Sequence, residues 1–190
     1  WGLQFPSRKR RKESGLWPWW GSGCDLPQNH VLVSRQNFVL LGQLRRISPF
    51  FYLEDRTNFR FPKKSLQKAQ AISVLHEMLQ QIFNLIHAER SSAAWDTTLL
   101  DKLRTGLHQQ LEDLDTSLVQ VMGEQDSAQG RAGPTLVLKS YFQGIHLYLK
   151  EKKYSDCAWE IVRLEIMRSF SSLTNLQERL RTNDGDLGSP

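Results

Sequence analysis

The side chains that could carry out chemistry are few, and they are not arranged for catalysis. Five histidines are spread along the 190 residues, and none lies at a metal-binding spacing such as His-Glu-x-x-His. The sequence contains no Gly-x-Ser-x-Gly, Walker or Gly-x-Gly-x-x-Gly motif, and its two cysteines form no Cys-x-x-Cys zinc pair. We therefore expect a protein that is not an enzyme and that uses neither a metal nor a cofactor.

The positive charge of the chain belongs to one short segment. The formal charge is +5, from 25 Lys+Arg against 20 Asp+Glu. Residues 8–12 read RKRRK, and without these five bases and Glu13, residues 24–190 hold 20 Lys+Arg and 19 Asp+Glu. Nucleic-acid binding is disfavoured, because a basic footprint would have to lie on the folded domain. Membrane insertion is not expected either, because no apolar run reaches the roughly 18 residues of a membrane span.

Residues 1–23 differ in composition from the rest of the chain. The basic run is followed by Trp17, Trp19, Trp20 and a Gly-Ser-Gly stretch, without the apolar segment of a signal peptide. We expect a disordered leader over 1–23 and one helical domain over 24–190. RKRRK could instead be a nuclear-localisation or polyanion-binding patch, which leaves a non-secreted helical interaction protein as an alternative.

Apolar residues after the leader recur at helical spacing. Leu75, Leu79 and Ile82, for example, lie on one helix face. The pattern predicts helices over 28–46, 66–90, 95–121, 135–153 and 155–181, and Gly133-Pro134 is a favourable opening for the fourth of them. Long connections over 47–65 and 122–134 allow successive helices to run parallel. The fold that we expect is therefore an all-α, up-up-down-down bundle of four or five helices with two long crossover connections.

A bundle without a catalytic cluster offers its surface for binding. On the last helix Arg163, Met167 and Arg168 lie on one side, and Met and Arg are enriched in the centres of protein interfaces. The alternative is an ordinary amphipathic helix with solvated arginines, which the composition alone favours.

Several stretches of the chain resemble type I interferons, most nearly the omega and tau types. They are CDLPQNH from Cys24, RRISPFF from Arg45, SSAAWDTTLLDKL from Ser91, and LYLKEKKYSDCAWEIVRLEIMRSFSSLTNLQERLR from Leu147. The resemblance covers nearly all of residues 24–190. It implies a secreted, monomeric antiviral cytokine that bridges the two chains of the type I interferon receptor and activates Janus-kinase signalling without a cofactor.

The resemblance also implies two receptor sites. The high-affinity chain would contact the first long connection and the last helix, here at Val39, Phe50, Leu53, Arg56, Arg163, Met167 and Arg168. The low-affinity chain would contact the middle helices, here at His76, Glu77, Gln80, Phe83, Asn84, Leu99 and Lys139. Phe83 fits a core position equally well, because aromatic residues at helical spacing are usually buried.

The cysteines depart from the pattern of the family that the chain resembles. Relatives of this kind carry two disulfides, but the partner position of Cys24 is Ser117 and that of Cys157 is Tyr52. We therefore expect neither family disulfide, and each lost bridge typically costs about 2–4 kcal/mol. A bridge between the two remaining cysteines would need Cα atoms within about 7 Å. A decayed, poorly secreted interferon copy that acts inside the cell, if at all, is the alternative function.

Overall fold

The described part of the chain consists of helices and their connections. The computed structural model describes residues 28–62, 68–122 and 128–185. The helices are α1 (Gln28–Gln43), a 3₁₀ helix (Pro49–Asn58), α2 (Lys68–His87), α3 (Ser91–Ala94), α4 (Thr97–Met122), α5 (Ala128–Glu151) and α6 (Asp156–Gly185). These ranges contain no strand, so the prediction of an all-α fold is confirmed. None of their helices has the length and apolar content needed to cross a membrane.

A buried polar cluster joins α1 to α4. Asn37 Nδ2 donates a hydrogen bond to Gln110 Oε1 at 2.7 Å, and His30 Nδ1 lies 3.7 Å from Asp113 Oδ2. Burial lowers the pKa of His30 below its ordinary 6.5, although the charge of Asp113 opposes the shift. Gly106 makes room for the cluster, because a Cβ at this position would lie 2.1 Å from Asn37 Oδ1. Residue numbers rise along α1 as they fall along α4, so the two helices are antiparallel.

α2 packs against α4 and, like α1, runs antiparallel to it. His76 pairs with Asp115, whereas the carbonyl of Ile86, further along α2, accepts hydrogen bonds from Arg104, which lies earlier in α4. α2 is therefore antiparallel to α4 and parallel to α1. Residues 44–67, which include the 3₁₀ helix, connect the two parallel helices.

α6 runs in the opposite direction to α1. The carbonyl of Leu41 accepts a hydrogen bond from Arg163, whereas Arg46, beyond the end of α1, donates its backbone N–H to Glu160. α1 and α2 thus run one way, and α4 and α6 run the other way. This arrangement confirms the predicted up-up-down-down bundle, with α5 as the fifth helix.

The second connection differs from the predicted polar loop over 122–134. α5 begins at Ala128, so Pro134 lies inside the helix and does not open it. An interior proline removes one helical hydrogen bond and costs about 3 kcal/mol. Phe142 and Ile145, which lie later in α5, are fully buried and hold the helix against the core. The segment that allows α4 and α6 to run parallel is therefore mostly α5 itself.

The 3₁₀ helix contacts the C-terminal end of α5, close to the junction with α6. Tyr148 Oη donates a hydrogen bond to Asp55 Oδ2 at 2.8 Å, and burial together with this bond raises the pKa of the phenol. The ring of Phe59 meets the Tyr148 ring edge-on, with the centroids 5.2 Å apart. These contacts fix the first connection in place, and they determine which of its side chains face outward.

Candidate functional site

Most of the residues that were predicted to bind a partner lie on two parts of the surface. We define the α6 face as Leu53 and Arg56 of the 3₁₀ helix with Met167 and Arg168 of α6. We define the α2 face as His76, Glu77, Gln80, Phe83 and Asn84 of α2 with Leu99 of α4 and Lys139 of α5. The 3₁₀ helix packs on α6, and α2 packs on both α4 and α5, so each set is brought together by helix packing.

A buried carboxylate organises the α6 face. Glu165 is 0 % exposed, and its Oε1 accepts a hydrogen bond from Arg56 Nε at 2.8 Å. Arg168 Nη1 lies 3.5 Å from Oε2 of the same carboxylate. The side chains of Arg56 and Arg168 are 32 % and 35 % exposed. One anion beneath the surface therefore holds two cations at the surface.

α5 contributes a third partner to this carboxylate. Tyr141 Oη donates a hydrogen bond to Glu165 Oε2 at 2.5 Å, and burial, followed by this bond, raises the pKa of the phenol. The Tyr141 ring also meets Phe61 edge-on at 5.3 Å, and the guanidinium carbon of Arg168 lies 5.5 Å from the centre of the Phe61 ring. The segment from Arg56 to Phe61 is thus anchored to α5 and α6 at both ends.

Apolar side chains lie beside the arginines of the α6 face. Leu53 is 41 % exposed, and Met167 is half-buried against the core. Val39 is exposed too, but it lines a groove between α1 and α4, and its described neighbours there lie on those two helices and not on α6. The side chain of Phe50 lies outside the described part of the chain. The structure therefore places Leu53 and Met167, but not Val39, with the arginines.

Arg163 is almost fully buried in the described structure, so its direct contact with a partner stays a prediction. It is 3 % exposed, and its Nε donates to Glu160 Oε2 at 2.8 Å. Its Nη1 lies 3.4 Å from the carbonyl oxygen of Leu41 and 3.2 Å from Met167 Sδ. The sequence pattern placed Arg163 correctly beside Met167 but could not show that the packing of α1 covers it.

One ion pair and one histidine–aspartate contact connect the α2 face to the neighbouring helices. Lys139 Nζ lies 3.9 Å from Glu77 Oε2, and His76 Nε2 lies 2.7 Å from Asp115 Oδ1. Each contact has one exposed member, Lys139 or Asp115. Surface pairs contribute about 0–1 kcal/mol each, so these contacts can be exchanged for contacts with a partner at little cost. Leu99 is half-buried against the core and offers only part of its side chain.

Phe83 lies between the core and the surface. It is half-buried, its ring stacks on His87 at 5.2 Å, and it meets the His108 ring at 6.4 Å. Beside it, Gln80 Nε2 donates a hydrogen bond to Asn84 Oδ1 at 3.1 Å. The sequence left open whether Phe83 is a core residue or a surface residue, and the structure gives it both kinds of neighbour.

The positions of the family disulfides are occupied by side chains with other contacts. Ser117 is buried and donates a hydrogen bond to the carbonyl of Asp113 at 3.1 Å, and Tyr52 is half-buried with Lys152 Nζ 5.5 Å from its ring centre. Cys157 is a free, half-buried thiol among the described residues, and Cys24 lies outside them. The absence of both family bridges stays a prediction.

Glu165 was missed by the sequence analysis, although the pattern contains a signal for it. It lies on the apolar stripe of α6, three residues after Val162 and four before Ser169, both of which are buried. An ionisable residue on such a stripe needs a partner, because an unpaired buried charge is costly. The identity of the partners could not be read from the spacing, since they come from the 3₁₀ helix and from α5.

Most of the described ionisable groups of the two faces pair with a neighbouring group. Among the described side chains, no three His, Cys, Asp or Glu residues come close enough to hold a metal ion. The α6 face combines exposed cations with apolar side chains, which is the composition of a protein-binding surface. An up-up-down-down helical bundle with such a surface is typical of helical cytokines.

The comparison with known sequences specifies the family. Residues 26–180 match the family described as Interferon alpha/beta domain, and the chain belongs to this family. Interferon omega-2 of Equus caballus is 70 % identical over 180 residues, which cover 92 % of each chain. Interferon tau of Cervus elaphus is 66 % identical over 173 residues, covering 88 % of this chain and 89 % of the relative. Both relatives confirm the resemblance to the omega and tau types.

A solved structure supports the same fold. Zebrafish interferon 2 superimposes with a TM-score of 0.57 at 22 % identity, covering 80 % of this chain and 99 % of that chain. Interferon omega-1 of Homo sapiens is 65 % identical over 172 residues, which cover 88 % of each chain. The chain is therefore a cytokine of the type I interferon family, and because its relatives are cytokines and not enzymes, the expectation of a non-enzyme is confirmed.

Proposed function

We propose that the protein is a secreted antiviral cytokine that bridges the two chains of the interferon alpha/beta receptor and so activates Janus-kinase signalling. The observation that carries this proposal is the 70 % identity to interferon omega-2 over 92 % of the chain, together with the two separate faces of the bundle. Secretion and antiviral action are typical of the family. A single copy has both faces, so the bridging species is a monomer.

The high-affinity chain would bind the α6 face. Arg56 and Arg168 present guanidinium groups that can form charge-assisted hydrogen bonds with carboxylates of a partner. Leu53 and Met167 supply apolar area beside them, and apolar contact next to arginine is typical of the energetically dominant part of an interface. Val39 would lie at the margin of this contact, and Arg163 would support Met167 from inside the bundle.

The low-affinity chain would bind the α2 face. His76, Gln80 and Asn84 present polar groups, and Phe83 supplies an aromatic surface between them. Lys139 is more than half exposed at the edge towards α5. A face made mainly of solvated polar groups gains little net energy from each contact, which fits the weaker of the two binding events.

The two faces can be occupied at the same time because different helices form them. The α6 face belongs to the 3₁₀ helix and α6, whereas the α2 face belongs to α2, α4 and α5. A receptor chain bound on one face therefore need not displace the other. Simultaneous occupancy is what brings the two receptor chains, and the kinases attached to them, close together.

Surface plasmon resonance with the 190-residue chain and each receptor ectodomain tests the proposal. Arg168→Glu is expected to weaken binding to the high-affinity ectodomain by about tenfold or more and to leave the other ectodomain unaffected. Lys139→Glu is expected to have the converse selectivity. Arg179→Glu, a reversal about three turns further along α6, is the matched control and should change neither affinity.

A kinase-dependent reporter in receptor-bearing cells tests bridging separately from binding. Both Arg168→Glu and Lys139→Glu should reduce the signal, because each removes one half of the bridge. A native chain that binds neither ectodomain, or variants that bind and signal as the native chain does, would contradict the proposal.

A further inference from the structure

We propose that Glu165 is a positioning residue of the α6 face, which holds the guanidinium group of Arg56 in the orientation that a partner meets. The inference rests on the proposed function and extends it, because Glu165 is fully buried and cannot itself touch a partner. Its effect on binding must therefore pass through Arg56 and Arg168.

The carboxylate holds Arg56 by the inner nitrogen of its guanidinium group. Arg56 Nε donates to Glu165 Oε1 at 2.8 Å, which leaves both Nη groups for a partner. Within the described ranges no second acceptor contacts this guanidinium group. Since the side chain is already ordered before binding, less conformational entropy is lost when a partner arrives.

The same carboxylate allows two cations to lie close together. Arg56 and Arg168 contact different oxygens of Glu165, and without this anion their like charges would drive the side chains apart. Tyr141 donates to the carboxylate from beneath and prevents it from rotating away. The cluster keeps one surplus positive charge at the surface, which suits an acidic side chain on the partner.

A second buried glutamate of α6 provides a matched comparison. Glu160 is 2 % exposed and pairs with Arg163 at 2.8 Å, but Arg163 is itself buried. The loss of either glutamate removes a buried anion from the same helix. Of the two glutamates, Glu165 has cationic partners that reach the surface, whereas the partner of Glu160 reaches the α6 face only through Met167. Loss of Glu165 should therefore affect binding much more.

The test is a double-mutant cycle between Glu165→Gln and Arg56→Ala, measured as the affinity of the full chain for each receptor ectodomain. In the native background Glu165→Gln is expected to weaken binding to the high-affinity ectodomain about tenfold. In the Arg56→Ala background the loss should be clearly smaller, because only the contact of Glu165 with Arg168 is then left to lose. Affinity for the other ectodomain should not change. Glu160→Gln should lower the unfolding midpoint but weaken binding to the high-affinity ectodomain much less than Glu165→Gln does, and equal weakening by the two variants would contradict the inference.

The conservative variant Glu165→Asp keeps the charge on a shorter side chain and should bind with intermediate affinity. If circular dichroism shows that Glu165→Gln does not fold, Glu165→Asp carries the test, and native-like affinity of this variant overturns the inference. A folded Glu165→Gln variant overturns it by binding as tightly as the native chain, by losing as much affinity without Arg56 as with it, or by weakening both ectodomains together. A native chain that binds neither ectodomain refutes the proposed function instead, and the positioning role with it.

Discussion

Reversal of the charge at Arg163 should destabilise the fold itself, whether or not a partner is present. The guanidinium group is 3 % exposed and neutralises Glu160, which is 2 % exposed, at 2.8 Å. Arg163→Glu would leave Glu160 without its cation and add a second carboxylate three residues away on the same buried surface of α6. Two neighbouring buried carboxylates are unfavourable, because neither charge is solvated by water or paired with a cation.

The magnitude follows from the burial of this pair. Removal of one partner of a buried ion pair costs about 3–5 kcal/mol, and the added carboxylate makes this a lower bound. Glu160 keeps one hydrogen bond, from the backbone N–H of Arg46 at 3.1 Å, which offsets part of the loss. A cost of about 4 kcal/mol is a large share of the 5–15 kcal/mol that typically stabilises a domain.

Urea unfolding followed by circular dichroism measures the effect. With a slope of about 2 kcal/mol/M, the Arg163→Glu midpoint should fall by about 2 M. Arg163→Met should cost nearly as much, and the double variant Glu160→Gln/Arg163→Met should recover most of the loss, because no buried charge then lacks a partner. A midpoint within about 0.3 M of native for Arg163→Glu, or a double variant no better than Arg163→Met, would refute this reasoning.

Three further changes test other parts of the fold. Gly106→Ala should lower the free energy of unfolding by about 1–3 kcal/mol, because the new Cβ would lie 2.1 Å from a side-chain oxygen of α1. Gly144→Ala has nothing within 4 Å of its new Cβ and should raise the free energy of unfolding by about 0.5–1 kcal/mol. Equal effects of the two variants in thermal unfolding would contradict the packing argument. The pKa of His30 is lowered in the folded state, so the unfolded chain binds a proton first as the pH falls below about 6.5, and the folding stability decreases from there downward. His30→Gln should therefore reduce the dependence of the unfolding free energy on pH between about pH 7.5 and about pH 5. An unchanged pH dependence would exclude His30 as its source. Tyr52→Cys should form a disulfide with Cys157, because it restores the cysteine that the family resemblance pairs with this position. Loss of the free thiol on titration and a gain of about 2–4 kcal/mol are expected, and a persistent thiol would show that the two positions do not meet.

The five predicted helices were recognisable from apolar spacing and are present, but the start of α5 was not predictable. Proline is common at the start of a helix, which made Gly133-Pro134 an opening signal for α5. In the structure the helix continues before Pro134, because burial of later residues such as Phe142 outweighs the local cost of the proline. Local propensity is a weak guide wherever tertiary packing stabilises a helix.

The candidate surface was predictable to the level of helix faces and no further. Spacing places Arg163, Met167 and Arg168 on one side of α6, and the structure agrees, yet Arg163 is covered and Arg168 is not. The difference arises from α1, whose carbonyl at Leu41 accepts a hydrogen bond from Arg163. A single helix pattern contains no information about which neighbour covers which turn.

Noncovalent contacts must hold the α6 face if the family disulfide between positions 52 and 157 is absent. That bridge would join the 3₁₀ helix to the start of α6. At this junction Asp55 accepts a hydrogen bond from Tyr148 at 2.8 Å and lies 3.7 Å from Lys152 Nζ. Glu165 then fixes Arg56 one residue further along.

These contacts are weaker singly than a disulfide but more numerous. A half-exposed ion pair contributes about 0–1 kcal/mol and is screened by salt, whereas a disulfide typically contributes about 2–4 kcal/mol and is not screened. The 3₁₀ helix of this chain should therefore open more readily than a bridged one as the ionic strength rises. Because Leu53 and Arg56 both lie on this helix, any such opening would disorder the α6 face while α2, α4 and α5 keep the α2 face intact.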